Sequence, residues 1–157
     1  MNSSLSQGRE LPDCVFPLLC FTKDGDVWAV RDEFELTTCG PQTLADGMQI
    51  GMDLVDAAGH CWRVKSVRHV GYPPLTWRSF RPFLARLRRI EHEFEVMPGL
   101  TLEETQDRVC TALEAFPEYW CELEDKDSVL PERKDDVRRT RSIAEIHDVL
   151  GLDWFGE

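Results

Sequence analysis

The sequence predicts an α+β fold, a mostly antiparallel sheet of about four to six strands with helices after it. Three observations predict it. Short apolar runs in the first part of the chain are separated by Asp24-Gly25 and by Asp56-Ala57-Ala58-Gly59, the turn chemistry of sequential hairpins. Residues 90–96 alternate Ile, His, Phe and Val with three glutamates, the two-residue period of a strand buried on one face. Two capped segments of helical period, 101–116 and 142–150, come only afterwards. Strands first and helices last is the order of an α+β domain, not of a parallel α/β sheet.

Taken in order, Val15–Phe21 and Val27–Val30 form the first hairpin, closed by Lys23-Asp24-Gly25-Asp26. Pro17 implies an edge position or an irregular start to its first arm. Residues 32–47 lack a long period, but a short helix is expected near 41–46, with Pro41 in its first turn and Gly47 at its end. Ile50–Val55 and Cys61–Val70 form the second hairpin. In its second arm the apolar face switches near Ser66, which predicts a bulge or a local twist there. Residues 71–74 (GYPP) are a loop. Phe80, Phe83, Leu84 and Leu87 have helical spacing, so a short helix is expected there, with a strand as the alternative.

The first main helix begins with a capping box, Thr101 and Glu104, and ends before Pro117. Leu102, Val109, Leu113 and Phe116 form its apolar stripe. Ser142 and Glu145 cap the final helix, Ile143, Ile146, Val149 and Leu150 form its buried face, and Gly151 stops it. Between the two, residues 122–141 are dense in charge and poor in apolar residues, the composition of a linker or long loop. The expected organisation is a flexible tail over 1–11, an α+β domain over 12–121, a charged linker over 122–141, and a short C-terminal helix within 142–157 that packs on the domain.

The chain has 157 residues and a net charge of −11. That balance opposes binding of nucleic acid or of an anionic membrane surface by the protein as a whole. No apolar run reaches the ~18 residues of a membrane span, and the polar N-terminus is no secretory signal. Six cysteines without CxxC spacing read as reduced, mostly buried thiols. A cytoplasmic protein without membrane association, metal or cofactor is the expectation.

The charge is unevenly spread. Residues 62–90 hold 8 bases and no acid, whereas residues 91–157 hold 19 acids and 7 bases. The basic segment reads in two ways: as charge neutralised by acidic neighbours within the fold, or as an anion-binding surface built from Arg63, Lys65, Arg68, Arg86 and Arg88. Trp62, Trp77, Phe80 and Phe83 interleave with it, the combination used on single-stranded nucleic acid. The acidic stretch from Glu114 to Asp136 offers a docking surface for a basic protein partner, with Glu118, Glu122, Glu124, Asp125, Asp127, Asp135 and Asp136 as its candidates.

Catalytic patterns fare poorly. There is no glycine-rich phosphate loop. Glu91-His92-Glu93 is suggestive of metal or acid–base chemistry, but on a strand His92 faces away from both glutamates. His60-Cys61 fails as a dyad for the same reason. A small enzyme using Cys61 or Cys39 with a histidine from elsewhere in the fold stays open as an alternative. Asp24 and Asp26 lack the remaining ligands of a calcium loop and read as turn residues.

Between Phe21 and Gly71 the chain shows a hairpin, a short helical connector and then Leu54, Asp56, Gly59, Trp62 and Val64 in an L-x-D-x-x-G-x-x-W-x-V hairpin. With the acidic helical C-terminus, this resembles the immunity proteins of bacterial polymorphic toxin systems. The resemblance covers about a third of the chain and carries no functional residues across. It implies a non-enzymatic protein that neutralises a partner by binding it.

Overall fold

The computed structural model describes residues 11–76, 80–81, 85–118 and 126–151. Its centre is one six-stranded antiparallel sheet. The strands are β1 (Leu18–Phe21), β2 (Val27–Val30), β3 (Thr38–Cys39), β4 (Asp53–Val55), β5 (Cys61–Gly71) and β8 (Arg88–Met97), in the order β2-β1-β4-β5-β8-β3. The α+β expectation holds.

Both expected hairpins are present. Phe21 pairs with Val27 and Val55 with Cys61. Gly25 takes φ 92° in the first turn, a value that a residue with a Cβ resists. β1 begins just after Pro17 and is central, so the irregular start rather than the edge position accounts for the proline. The β5–β8 register slips between Val64 and Ser66, which is the expected bulge. It turns Val67 to the side already occupied by Val64.

The sheet must curl. β2 and β3 sit at its opposite edges, about 24 Å apart were the sheet flat. Yet they are joined only by Arg31, Asp32 and a one-turn helix, α1 (Glu33–Thr37). That connection spans under about 20 Å at helical and extended rises. Asp32 caps α1 by accepting from the Glu35 N–H, and α1 lies across the gap between the two edges. Neither α1 nor β3 is predicted from the sequence, because both are too short to show a period. The expected short helix is α2 (Pro41–Ala45).

One expectation fails around residue 80. Phe80–Arg81 (β6) and Ala85–Arg86 (β7) pair antiparallel, so the strand alternative holds and the short helix does not. Leu87, fully buried, anchors the chain where it enters β8.

One face of the sheet is covered by helices. α3 (Leu102–Ala115), α4 (Lys126–Arg138) and α5 (Ile143–Leu150) pack Val109, Leu113, Val137, Ile143 and Ile146 onto Leu19, Phe21, Val27 and Val55. The capping box of α3 forms as expected: Thr101 Oγ1 accepts from the Glu104 N–H and the Glu104 carboxylate accepts from the Thr101 N–H. At α5 the device is shifted by one residue. Ser142 Oγ accepts from the Glu145 N–H, but the Glu145 carboxylate accepts from the Arg141 N–H. Gly59, at φ 88°, lets the β4–β5 turn press against the start of α3. A Cβ there would lie 2.6 Å from the Leu100 carbonyl oxygen.

α4 departs from the sequence reading, which has a linker over 122–141. Its inward seam holds few apolar residues, Val129, Leu130 and Val137. Half-buried Arg133 and Lys134 occupy the rest of that seam, and the aliphatic stems of such residues cover apolar surface. The Gln106 amide of α3 lies 3.2 Å from the Val137 carbonyl and 3.0 Å from that of Thr140, satisfying acceptors left open at the end of α4. Among the described residues no helix is long and apolar enough to cross a membrane.

The other face of the sheet buries Leu18, Cys20, Val30, Leu36, Met52, Leu54 and Val64 under Leu11, Cys14 and Phe16 of the N-terminal segment and under α1. Asp56, fully buried, ties this cover down. Its carboxylate accepts from the Val15, Ala58 and His60 N–H groups at 2.8–3.0 Å.

Candidate functional site

The basic segment is largely consumed within the fold. β5 runs beside β8, so Arg63 faces Glu95 and Arg68 faces Glu91 across the ladder. Arg68 is ion-paired to Glu91. Arg63 turns to Asp53, with Nε donating to Oδ1 at 2.8 Å, and Arg108 of α3 reaches the same carboxylate at 3.3 Å. Arg86 and Arg88 lie beyond the far end of β5, their guanidinium carbons 4.4 and 4.9 Å from the centroid of the exposed Tyr72 ring. Lys65, beside the bulge, faces solvent. The structure therefore does not gather Arg63, Lys65, Arg68, Arg86 and Arg88 into one anion pocket. Of the aromatic residues in that segment, Trp62 is half-buried near the His60 ring. Trp77 and Phe83 lie outside the described residues, as does the Phe80 side chain.

The acidic set divides differently. Glu122, Glu124 and Asp125 lie outside the described residues. Glu118 and Asp127 are exposed at the two ends of that gap. Asp135 and Asp136 stand on the outer face of α4 beside Glu132, a residue the sequence reading did not single out. Neighbouring acids are paired, Glu114 with Lys134 and Asp107 with Arg138 at 2.8 Å. Glu132, Asp135 and Asp136 are exposed and make no ion pair among the described residues.

The thiols and histidines are set apart from one another. Cys61 packs on the helix-covered face. His60 turns outward to Asp56, with Nδ1 3.2 Å from the carboxylate. His92 lies on the opposite face from Cys61, stacked on Phe94 at 5.2 Å. Glu93 meets Ser66 and Glu91 meets Arg68, so Glu91-His92-Glu93 diverges as the strand period requires. Burial raises the Cys61 thiol pKa, with the Asp53 charge adding to the effect. Burial pushes the Cys39 thiol up to about 11. Neither is a ready thiolate near neutral pH.

The curl of the sheet creates a feature that sequence reasoning missed, a cavity of about 490 Å³ at the gap between β2 and β3. Trp28 and Val30 of β2, Leu36 of α1, Met48 and Met52 supply apolar walls. Polar groups are few. The Glu35 carboxylate at its edge is already held by Arg31, accepting from the backbone N–H at 2.7 Å and from Nε at 3.0 Å. Gln49 is 8 % exposed, and its Oε1 accepts from His92 Nε2 at 2.7 Å. Among the described residues the Gln49 amide nitrogen has no partner. No local pattern announces this site: its walls all come from residues 28–52, whose elements are too short to show a period, and only the curl folds them around a common space.

No protein-family model, no curated protein and no solved structure matches the chain.

Proposed function

We propose that the protein is a non-catalytic binding protein that docks a basic partner protein on the outer face of α4. One observation carries this reading: Glu132, Asp135 and Asp136 crowd one helical turn with no ion pair among the described residues. Glu132 and Asp136 are four apart, where like charges destabilise a helix by about 0.2–0.5 kcal/mol. Asp135 and Asp136 also sit in the last turn, at the negative end of the helix dipole. A local rule broken in this way, without internal compensation, is the mark of a surface shaped for something outside the fold. Complementary charge there speeds encounter and rejects wrong partners. The two alternatives are less favoured. The thiols considered as nucleophiles are pushed away from reactivity, and Arg63 and Arg68 are neutralised inside the sheet.

The finer form of the proposal, an immunity-type inhibitor of a toxin, adds the resemblance of the 21–71 segment to the charge argument. The test is affinity capture on the immobilised protein, wild type beside the Glu132→Lys/Asp135→Lys/Asp136→Lys variant, at low and moderate salt. The expected result is a saturable, basic partner held by the wild type and lost by the variant. A saturable partner that the variant holds equally well overturns the assignment of the surface. The absence of any saturable partner overturns the function.

A further inference from the structure

We infer that the cavity between β2 and β3 is a binding site for a neutral, planar aromatic molecule that carries a carbonyl-type acceptor. This site lies on the opposite face of the sheet from α4 and does not depend on the docking proposal.

Size is the first argument. A volume of about 490 Å³ falls within the range of pockets that enclose drug-sized ligands, about 300–1,000 Å³. Exposed Gln42 and Met48 stand at its rim, so a ligand has a route in.

The polar atoms set the chemistry. Gln49 is more than nine-tenths buried, and its amide is oriented by a bond to a buried histidine. The Oε1 atom accepts from His92 Nε2–H, which leaves the NH₂ group of this lining residue as a donor with no partner among the described residues. That group is not sealed from solvent, so a ligand acceptor placed there takes the place of water on a donor whose orientation is already fixed. His92 is held in position by Phe94 and stays neutral, because burial lowers its pKa to about 4. The donor orientation is therefore stable across neutral pH.

Charge excludes most other ligands. Among the described residues no lysine, arginine or histidine lines the cavity, so a phosphate or carboxylate would enter without a counter-ion from them. Glu35, the one charged lining group among the described residues, repels anions and is already occupied by Arg31. The walls favour a flat ring system. Trp28 contributes an aromatic ring to the lining, and the Met48 and Met52 thioethers make adaptable contacts to aromatic rings.

The probe is 6-propionyl-2-(dimethylamino)naphthalene, a neutral planar fluorophore with one carbonyl. Its anionic counterpart is 8-anilinonaphthalene-1-sulfonate. The neutral probe is expected to bind the wild type with saturable blue-shifted emission, at least about tenfold tighter than the anionic one. Thr43→Trp fills the mouth from α2 and is expected to abolish binding. Gln49→Glu keeps an acceptor for His92 but replaces the donor by a carboxylate, and is expected to weaken the neutral probe about tenfold. Both variants are compared after circular dichroism confirms native folding. The α4 triple-lysine variant serves as the internal control and is expected to bind the neutral probe as the wild type does. Non-saturable binding, undiminished binding to folded Thr43→Trp, or equal binding of the two probes would each overturn the assignment.

Discussion

The two faces of the sheet are made from the same strands and end in opposite states. In β1, Leu19 and Phe21 point to one face and Leu18 and Cys20 to the other. The first face meets three helices, whose regular ridges fill the space until Val109, Leu113 and Ile146 are completely buried. The second meets a chain segment and one-turn helices, which present no continuous ridge, and there the cavity remains. The difference lies in the covering elements rather than in the strands. Regular helices close a core, while short irregular covers leave room for a ligand.

The largest expected effect falls on the closed face. Leu113→Ala removes a fully buried side chain held between α3 and the sheet, and is expected to cost about 2–5 kcal/mol in denaturant unfolding. Leu36→Ala, equally large but beside the cavity under α1, is expected at the low end of that range, about 2 kcal/mol, because a one-turn helix relaxes into the space. Equal losses at the two sites would break the comparison, since the faces would then differ in shape but not in energy.

This contrast also explains what was legible in the sequence. The hairpins, the bulge near Ser66, the capping box of α3 and the strand ending at Val96 could all be read, because each rests on a period or a turn within one segment. The helix α4 could not. Its seam is completed by Arg133 and Lys134, whose apolar stems are hidden under charged letters. The cavity could not be read either. It depends on β2 and β3 meeting around the curl, and on a bond between Gln49 and His92 that joins residues 43 apart. The acidic candidates were legible as composition, but the pairing that consumes Glu114 and Asp107 and leaves Asp135 and Asp136 is tertiary.

Acidification is expected to act next, and on the open face. Burial lowers the His92 pKa from 6.5 to about 4. The unfolded chain therefore takes up this proton first as the pH falls. Between about pH 6.5 and pH 4 the unfolded state binds more protons than the folded one, so stability falls with falling pH and the loss levels off below about pH 4. A shift of this size corresponds to about 3 kcal/mol. Urea unfolding of the wild type across that window, beside His92→Gln, isolates the contribution. The variant is expected to lose that part of the pH slope. An unchanged slope would place the acid sensitivity elsewhere and weaken the case for a fixed donor at Gln49.

The smallest effect on stability is expected at the mouth of the cavity, and it sharpens the comparison most. Met48 lines the cavity but is 40 % exposed, so it contributes little to either core. Met48→Ala is expected to change unfolding free energy by no more than about 0.5 kcal/mol, as for other surface substitutions. The same change removes a thioether from the proposed ring contact, worth about 0.3–1.5 kcal/mol, and should weaken the neutral naphthalene probe several-fold. On the closed face no substitution of a lining residue can separate the two quantities, because every such side chain is spent on the fold. A residue that alters binding while leaving stability untouched can exist only where the cover leaves volume unfilled. A large stability loss at Met48 would show that the mouth is part of the core, and the two faces would then differ less than their covers imply.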